Sequence, residues 1–168
     1  MYNERTNFTK GYGQILQNIS EEAEDMTPTQ MAAKYFEKGY TPEQVQDVMR
    51  NKKILYPTIS EVLNEFMGRE NISVEKLSIL SDVKVSTIYR IMSKQRNPNR
   101  NTILRLAFAL ALSFEETQVL LKSGNCSLLS AARERDLVIM SGIANELDYE
   151  TVNKELTEKG MPDLNVRF

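Results

Sequence analysis

The chain has 168 residues, 41% of them hydrophobic, with a formal charge of −2, one cysteine and no histidine. That length holds one globular domain with a sizeable core, or a domain with helical appendages, and with no apolar run long enough to span a bilayer a cytoplasmic protein is expected. The single Cys126 excludes an internal disulfide, and the lack of histidine removes most zinc sites, the Ser-His and Cys-His nucleophile systems and the commonest general base.

No CxxC, P-loop or GxGxxG is present, and the carboxylate pairs Glu21-Glu22 and Glu115-Glu116 sit at solvated helix starts. The expectation is therefore a protein that is not an enzyme and uses no cofactor and no metal. Cys126 reads as a small residue near a loop rather than as a reactive thiol.

Residues 1–26 are polar, with Gly11-Tyr12-Gly13, an acidic cluster from Glu21 to Asp25, and room for a short helix over Gln14 to Ile19. They read as a mobile polar arm, with a partner-docking segment as the alternative. Residues 27–51 hold a local repeat, Thr27-Pro28-Thr29-Gln30 and Thr41-Pro42-Glu43-Gln44. Each is an N-cap threonine, a proline at the first helical position and a glutamine that caps reciprocally. Met31, Tyr35 and Phe36 line the first helix, Gly39 ends it, and Val45, Val48 and Met49 line the second. A hairpin this short needs a surface to cover, on the rest of the chain or on a second subunit, and Ile79 and Leu80 are the candidate positions.

Pro57 breaks the chain, and Thr58-Ile59-Ser60-Glu61 opens a helix that buries Val62, Leu63, Phe66 and Met67. From Ser73 to Pro98 an apolar helical pattern breaks at Asp82-Val83-Lys84 and resumes at once, which predicts two short helices joined by a tight turn. Val74, Leu77, Leu80 and Ser81 form the inner stripe of the first helix, and Val85, Ile88, Ile91 and Met92 that of the second. Opposite Ile88 lie Ser86, Arg90 and Ser93 or Lys94, with Tyr89 on the flank, a polar ridge carrying one long basic side chain. Gln95 to Asn101 reads as a loop, Thr102 to Leu112 as an apolar core helix, and Ser113-Phe114-Glu115-Glu116 as a further capping box.

Beyond residue 123, Glu134 to Glu146 holds Leu137, Val138, Ile139, Met140 and Ile143, and Leu147 follows it. Asp148 caps a last helix that stops at Gly160. These apolar positions exceed what two exposed helices can hide. Packing on the domain and a dimer interface are both open readings.

The stretch Leu77-Ser78, Val83, Ser86-Thr87-Ile88-Tyr89-Arg90-Ile91, Lys94-Gln95-Arg96-Asn97-Pro98, Thr102, Arg105-Leu106-Ala107, Ala109-Leu110 and Ser113 resembles the lambda-repressor/Cro-like (XRE-type) helix-turn-helix family. It is similar to a Gram-positive gut-bacterial subgroup with a C-terminal helical extension, through Ser113 to Lys122, Arg135-Asp136 and Asn153, so that the likeness covers roughly Ile59 to Leu164. The resemblance implies an all-α fold with a five-helix helix-turn-helix domain over residues 57–123, an N-terminal helical hairpin, and a C-terminal helical extension over residues 124–168. The family usually carries glycine at Asp82, a small capping residue at Lys84, often glycine at Lys94, and a phosphate-binding residue at Val74, which cannot serve in that way.

Charge adds an independent signal. Between Val83 and Phe114 there are six basic residues and no acidic one, so the remainder of the chain carries −8. One basic face on an acidic body suits a polyanion, although a solvated basic loop would give the same count. The expected function is a sequence-specific DNA-binding transcriptional regulator whose helix Val85–Ser93 reads the major groove. Val85, Ser86, Tyr89 and Arg90 are the candidate base readers. Lys84, Lys94, Arg96, Asn97, Asn99 and Arg100, with Asn101 beside them, are the candidate phosphate contacts. The expected partners are double-stranded DNA and a second copy, joined through the C-terminal helices or the hairpin. The alternative is a protein-interaction adaptor that keeps the fold without DNA readout.

Overall fold

The computed structural model describes residues 28–51 and 57–165, and every regular element among them is α-helical. They divide into two compact units, Met1–Tyr56 and Pro57–Phe168. In the first unit, α1 (Pro28–Glu37) and α2 (Pro42–Asn51) pack on one another. The reciprocal cap before α2 forms as its spacing predicts, with the Thr41 amide donating to Gln44 Oε1 at 2.9 Å and the Gln44 amide to Thr41 Oγ1 at 3.3 Å. Gly39 ends α1 at φ 85°, and Tyr35 meets Tyr40 edge-on at 5.2 Å. Val45 and Met49 are buried, whereas Phe36 is exposed. The expected arm, the short helix within it and the Thr27 cap lie outside the described residues.

The second unit contains α3 (Ile59–Arg69), α4 (Val74–Ser81), α5 (Val85–Met92), α6 (Arg100–Ala109), α7 (Phe114–Ser123), α8 (Glu134–Ala144) and α9 (Tyr149–Glu158). Helix α3 packs on α5 and α7, while α4 packs on α5 and α6, and α6 also packs on α7. Thr58 and Ser113 make full capping boxes with Glu61 and Glu116, and Asp148 caps α9 through the Thr151 amide. Local chemistry three residues apart therefore starts these helices where the sequence predicts. Phe66, Leu63, Leu77, Ile88, Ile91, Ile103, Leu104 and Leu106 fill the core between them.

Some boundaries differ from expectation. Helix α6 begins at Arg100 because Asn99 is its N-cap, accepting from the Thr102 amide at 2.8 Å, so the preceding loop is two residues shorter than its polarity suggests. It ends at Ala109, where the left-handed Ala111 reverses the chain, and α8 stops at Ala144 with Glu146 left-handed. The inner stripe of α4 is Val74, Leu77 and Ser81; Leu80 is exposed, as is Ile79.

The C-terminal helices are part of the unit's core. Helix α8 packs on α7 and α9, and α9 packs on α6. Ile139, Val152 and Leu156 are fully buried, each worth about 1.5–3 kcal/mol relative to exposure. Gly142 lets the helices approach, for a Cβ there would meet Val152 Cγ2 at 2.3 Å. Most of the apolar surplus is thus absorbed within the chain, and Leu137 is the large apolar residue of α8 left exposed. Among the described residues no helix is long and apolar enough to cross a membrane.

Candidate nucleic-acid interface

Helix α5 is amphipathic with a sharp division between its faces. Ile88 and Ile91 are fully buried, while Ser86, Tyr89 and Arg90 face outward and Val85 is half-buried. The helix is held from within: α3 sends Ser60 Oγ to the Met92 carbonyl at 2.5 Å, and α4 supports it across the turn.

The turn is built by Asp82, Val83 and Lys84. Asp82 takes a left-handed conformation at φ 52°, which aspartate tolerates better than most residues with a Cβ. Val83 is buried, and its amide donates to Ser81 Oγ at 3.2 Å. Arg105 closes the turn from α6. Its Nε donates to the Ser81 carbonyl at 2.8 Å, a terminal nitrogen donates to the Asp82 carbonyl, and the Asp82 carboxylate lies 3.3 Å away. The same guanidinium lies 5.5 Å from the centre of the Tyr149 ring, so α9 backs the clamp. Carbonyls left open at the end of α4 thereby gain a cationic donor.

Lys84 stands at the N-cap of α5 and makes no side-chain capping bond, leaving its ammonium exposed at the mouth of the helix. The far end closes by a Schellman turn. The Lys94 amide donates to the Ile91 carbonyl at 3.1 Å and the Gln95 amide to the Arg90 carbonyl at 2.8 Å, with Lys94 at φ 61°. That left-handed position is where the resembling family often has glycine. Lys94, Arg96 and Asn97 are exposed beyond it.

The expected phosphate contacts do not all share this surface. Arg100 is bound inward: its Nε donates to the Ser127 carbonyl at 2.8 Å, and a terminal nitrogen reaches the Leu128 carbonyl at 3.3 Å and Asp136 Oδ2 at 2.9 Å. Nε and one terminal nitrogen of Arg100 are thus engaged by the C-terminal extension, which gives this side chain a structural role. Asn99 spends its carbonyl oxygen on the α6 cap. Asn101 is buried and accepts from Arg135 at 2.9 Å. With Arg105 also engaged internally, four of the six cations in the basic stretch remain outward: Lys84, Arg90, Lys94 and Arg96.

A cleft of about 560 Å³ opens beside the start of α5, lined among others by Lys84, Ser86, Thr87, Arg90 and Arg96. The carboxylate in its lining is that of Asp82. Across α5, the Tyr89 hydroxyl lies 3.5 Å from Glu75, a long contact that leaves the ring half-exposed. A surface with cations around an exposed helix can order phosphates and present a polar edge to bases. Among the described residues no group of three or more His, Cys, Asp or Glu side chains is arranged to hold a metal ion. Burial pushes the Cys126 thiol up, against a smaller opposing pull from Arg100.

Thr87, Thr102, Leu164 and Asn165 also line the cleft and are not among the candidate residues that the sequence offers. The threonines were visible as neighbours of the basic residues. Leu164 and Asn165 carried no signal, since nothing local in that segment points back to α5. Comparison with models of protein families, with curated proteins and with solved structures finds no match.

Proposed function

We propose that this protein is a sequence-specific DNA-binding regulator of the XRE type, in which Pro57–Ser123 acts as a five-helix lambda-repressor-like domain and α5 enters the major groove. The observation that carries the reading is the outer face of α5, where Ser86, Tyr89 and Arg90 project between exposed Lys84 at one end and Lys94 and Arg96 at the other. Arg90 pairs with guanine acceptors, Ser86 and Tyr89 contact neighbouring base edges, Val85 packs on a thymine methyl, and Lys84, Lys94, Arg96 and Asn97 neutralise or bond phosphates. Regulation follows from occupancy of a promoter by a symmetric dimer.

The test is binding of wild type and Arg90→Ala to duplexes selected from a random pool and to scrambled versions of them. Loss of one bidentate guanine contact removes about 1–3 kcal/mol of discrimination, so the ratio of affinities should fall roughly fivefold or more. An unchanged ratio would exclude α5 as the reader. Light scattering of the complex should give two protomers per duplex.

A second reading, an adaptor that binds protein instead of DNA, is favoured by apolar Ile79 and Leu80 exposed on α4, 80% and 44% respectively. Val74 supports it too, being buried at the helix start where the resembling family contacts phosphate. Absence of any retarded duplex at low salt would select this reading.

A further inference from the structure

We propose that Leu164 and Asn165, at the end of the segment Pro162–Asn165 held by the C-terminal extension, form one wall of the nucleic-acid cleft and that Asn165 is a backbone contact for the bound duplex. This rests on the DNA-binding reading and adds to it a part of the chain outside the five-helix domain.

Two clasps hold the segment in place. From α8, Arg135 Nε donates to the Pro162 carbonyl at 2.7 Å, while a terminal nitrogen of the same guanidinium bonds Asn101 Oδ1 at 2.9 Å and the Asp163 carbonyl at 3.2 Å. From α9, the carbonyl oxygen of the buried Asn153 side chain accepts from the Leu164 amide at 2.8 Å. Leu164 itself is 1% exposed, which anchors the segment as firmly as a core residue. Arg135 thus joins the C-terminal segment to the first turn of α6, a few residues after the loop that carries Arg96.

The consequence lies at the surface. Leu164 and Asn165 line the same cleft as Lys84, Ser86, Arg90 and Arg96. Asn165 is exposed, and its backbone N–H donates to Asp163 Oδ1 at 2.9 Å. An asparagine side chain beside four polar or cationic residues is suited to a phosphate oxygen, and a duplex lying along α5 would touch it. The ordering of the segment precedes binding, so this contact carries no loop-ordering cost.

The test introduces charge at Asn165 in the full chain and measures binding to a mixed-sequence duplex at several salt concentrations. Asn165→Lys should tighten binding a few-fold at low salt and steepen the slope of log affinity against log salt by about 0.9, the increment of one phosphate contact. Asn165→Asp should weaken binding by a similar factor. Glu158→Gln, which changes the net charge by one unit outside the cleft, serves as the control and should change little. If Asn165→Lys does no more than this control while Lys94→Ala weakens binding, the C-terminal wall is not at the interface and the DNA-binding reading stands without it. If wild type and all variants fail to bind duplex at low salt, both fall together.

Discussion

The Arg100 guanidinium donates to the Asp136 carboxylate at 2.9 Å, tying the first turn of α6 to the first turn of α8. Asp136 also accepts from the Ser130 amide at 3.0 Å and from Arg133 Nε at 2.8 Å, and it is 1% exposed. Burial alone would raise this carboxyl, but the donors Arg100, Ser130 and Arg133 together hold it below the ordinary carboxylate range. Its pKa is therefore lower in the folded than in the unfolded chain, so its contribution to stability is complete above about pH 4 and is lost as pH falls through the folded value. Unfolding free energies of wild type and Asp136→Ala from urea titrations should differ by about 3 kcal/mol at neutral pH, and the gap should narrow below pH 4. A gap that widens on acidification would contradict the assignment.

On the proposed DNA-binding reading, Arg100 and Lys94 separate a structural role from a binding role within one basic stretch. Arg100→Ala removes a partner of a buried carboxylate and should lower stability by about 2 kcal/mol or more at pH 7. Lys94→Ala strips an exposed ammonium and should leave the urea midpoint unchanged while shallowing the salt slope of DNA binding by about 0.9. Equal losses of stability from both variants would contradict the division.

What was legible in the sequence is what is local. Thr41 with Gln44, Thr58 with Glu61, Ser113 with Glu116 and the Asp148 cap are all decided within three residues, so pattern and chemistry locate those helix starts. The two faces of α5 were equally readable, because Ile88 and Ile91 alternate with Ser86 and Arg90 at helical spacing. Arg100 and Lys94 looked alike because composition does not reveal a partner 36 residues away. The apolar residues from Leu137 to Leu156 were compatible with a core or an interface, and burial of Ile139, Val152 and Leu156 assigns most of them to the core. Leu164 and Asn165 owe their place to Asn153 and Arg135, residues whose neighbours in sequence give no hint of it.

Gly142 tests how closely the extension is packed. In an open helix, replacing glycine with alanine would gain about 1 kcal/mol of helix propensity. Here the added methyl would meet the fully buried Val152, a stiff β-branched side chain, at 2.3 Å. Overpacking of this kind costs typically about 1–3 kcal/mol, so the balance should be destabilising. Gly142→Ala should melt below wild type and Gly142→Val lower still; a Gly142→Ala variant more stable than wild type would mean that α8 and α9 are not closely packed there.

Asp82 sets strain against charge at the turn before α5. Its left-handed φ of 52° favours glycine, whereas its carboxylate lies 3.3 Å from Arg105. That carboxylate is 74% exposed, so the ion pair is of the surface kind and contributes at most about 1 kcal/mol. Asp82→Gly loses this pair but relieves the backbone, and the two effects should nearly cancel, leaving stability within about 1 kcal/mol of wild type. Asp82→Val loses the pair and adds a β-branched side chain to a left-handed residue, which should cost about 1–2 kcal/mol in strain. Arg105→Ala should cost more than Asp82→Gly, since the carbonyls of Ser81 and Asp82 both lose their donor and Tyr149 loses the cation over its ring. Urea titrations of the three variants give the order. If Asp82→Val proved as stable as Asp82→Gly, the turn would not depend on a left-handed residue at this position.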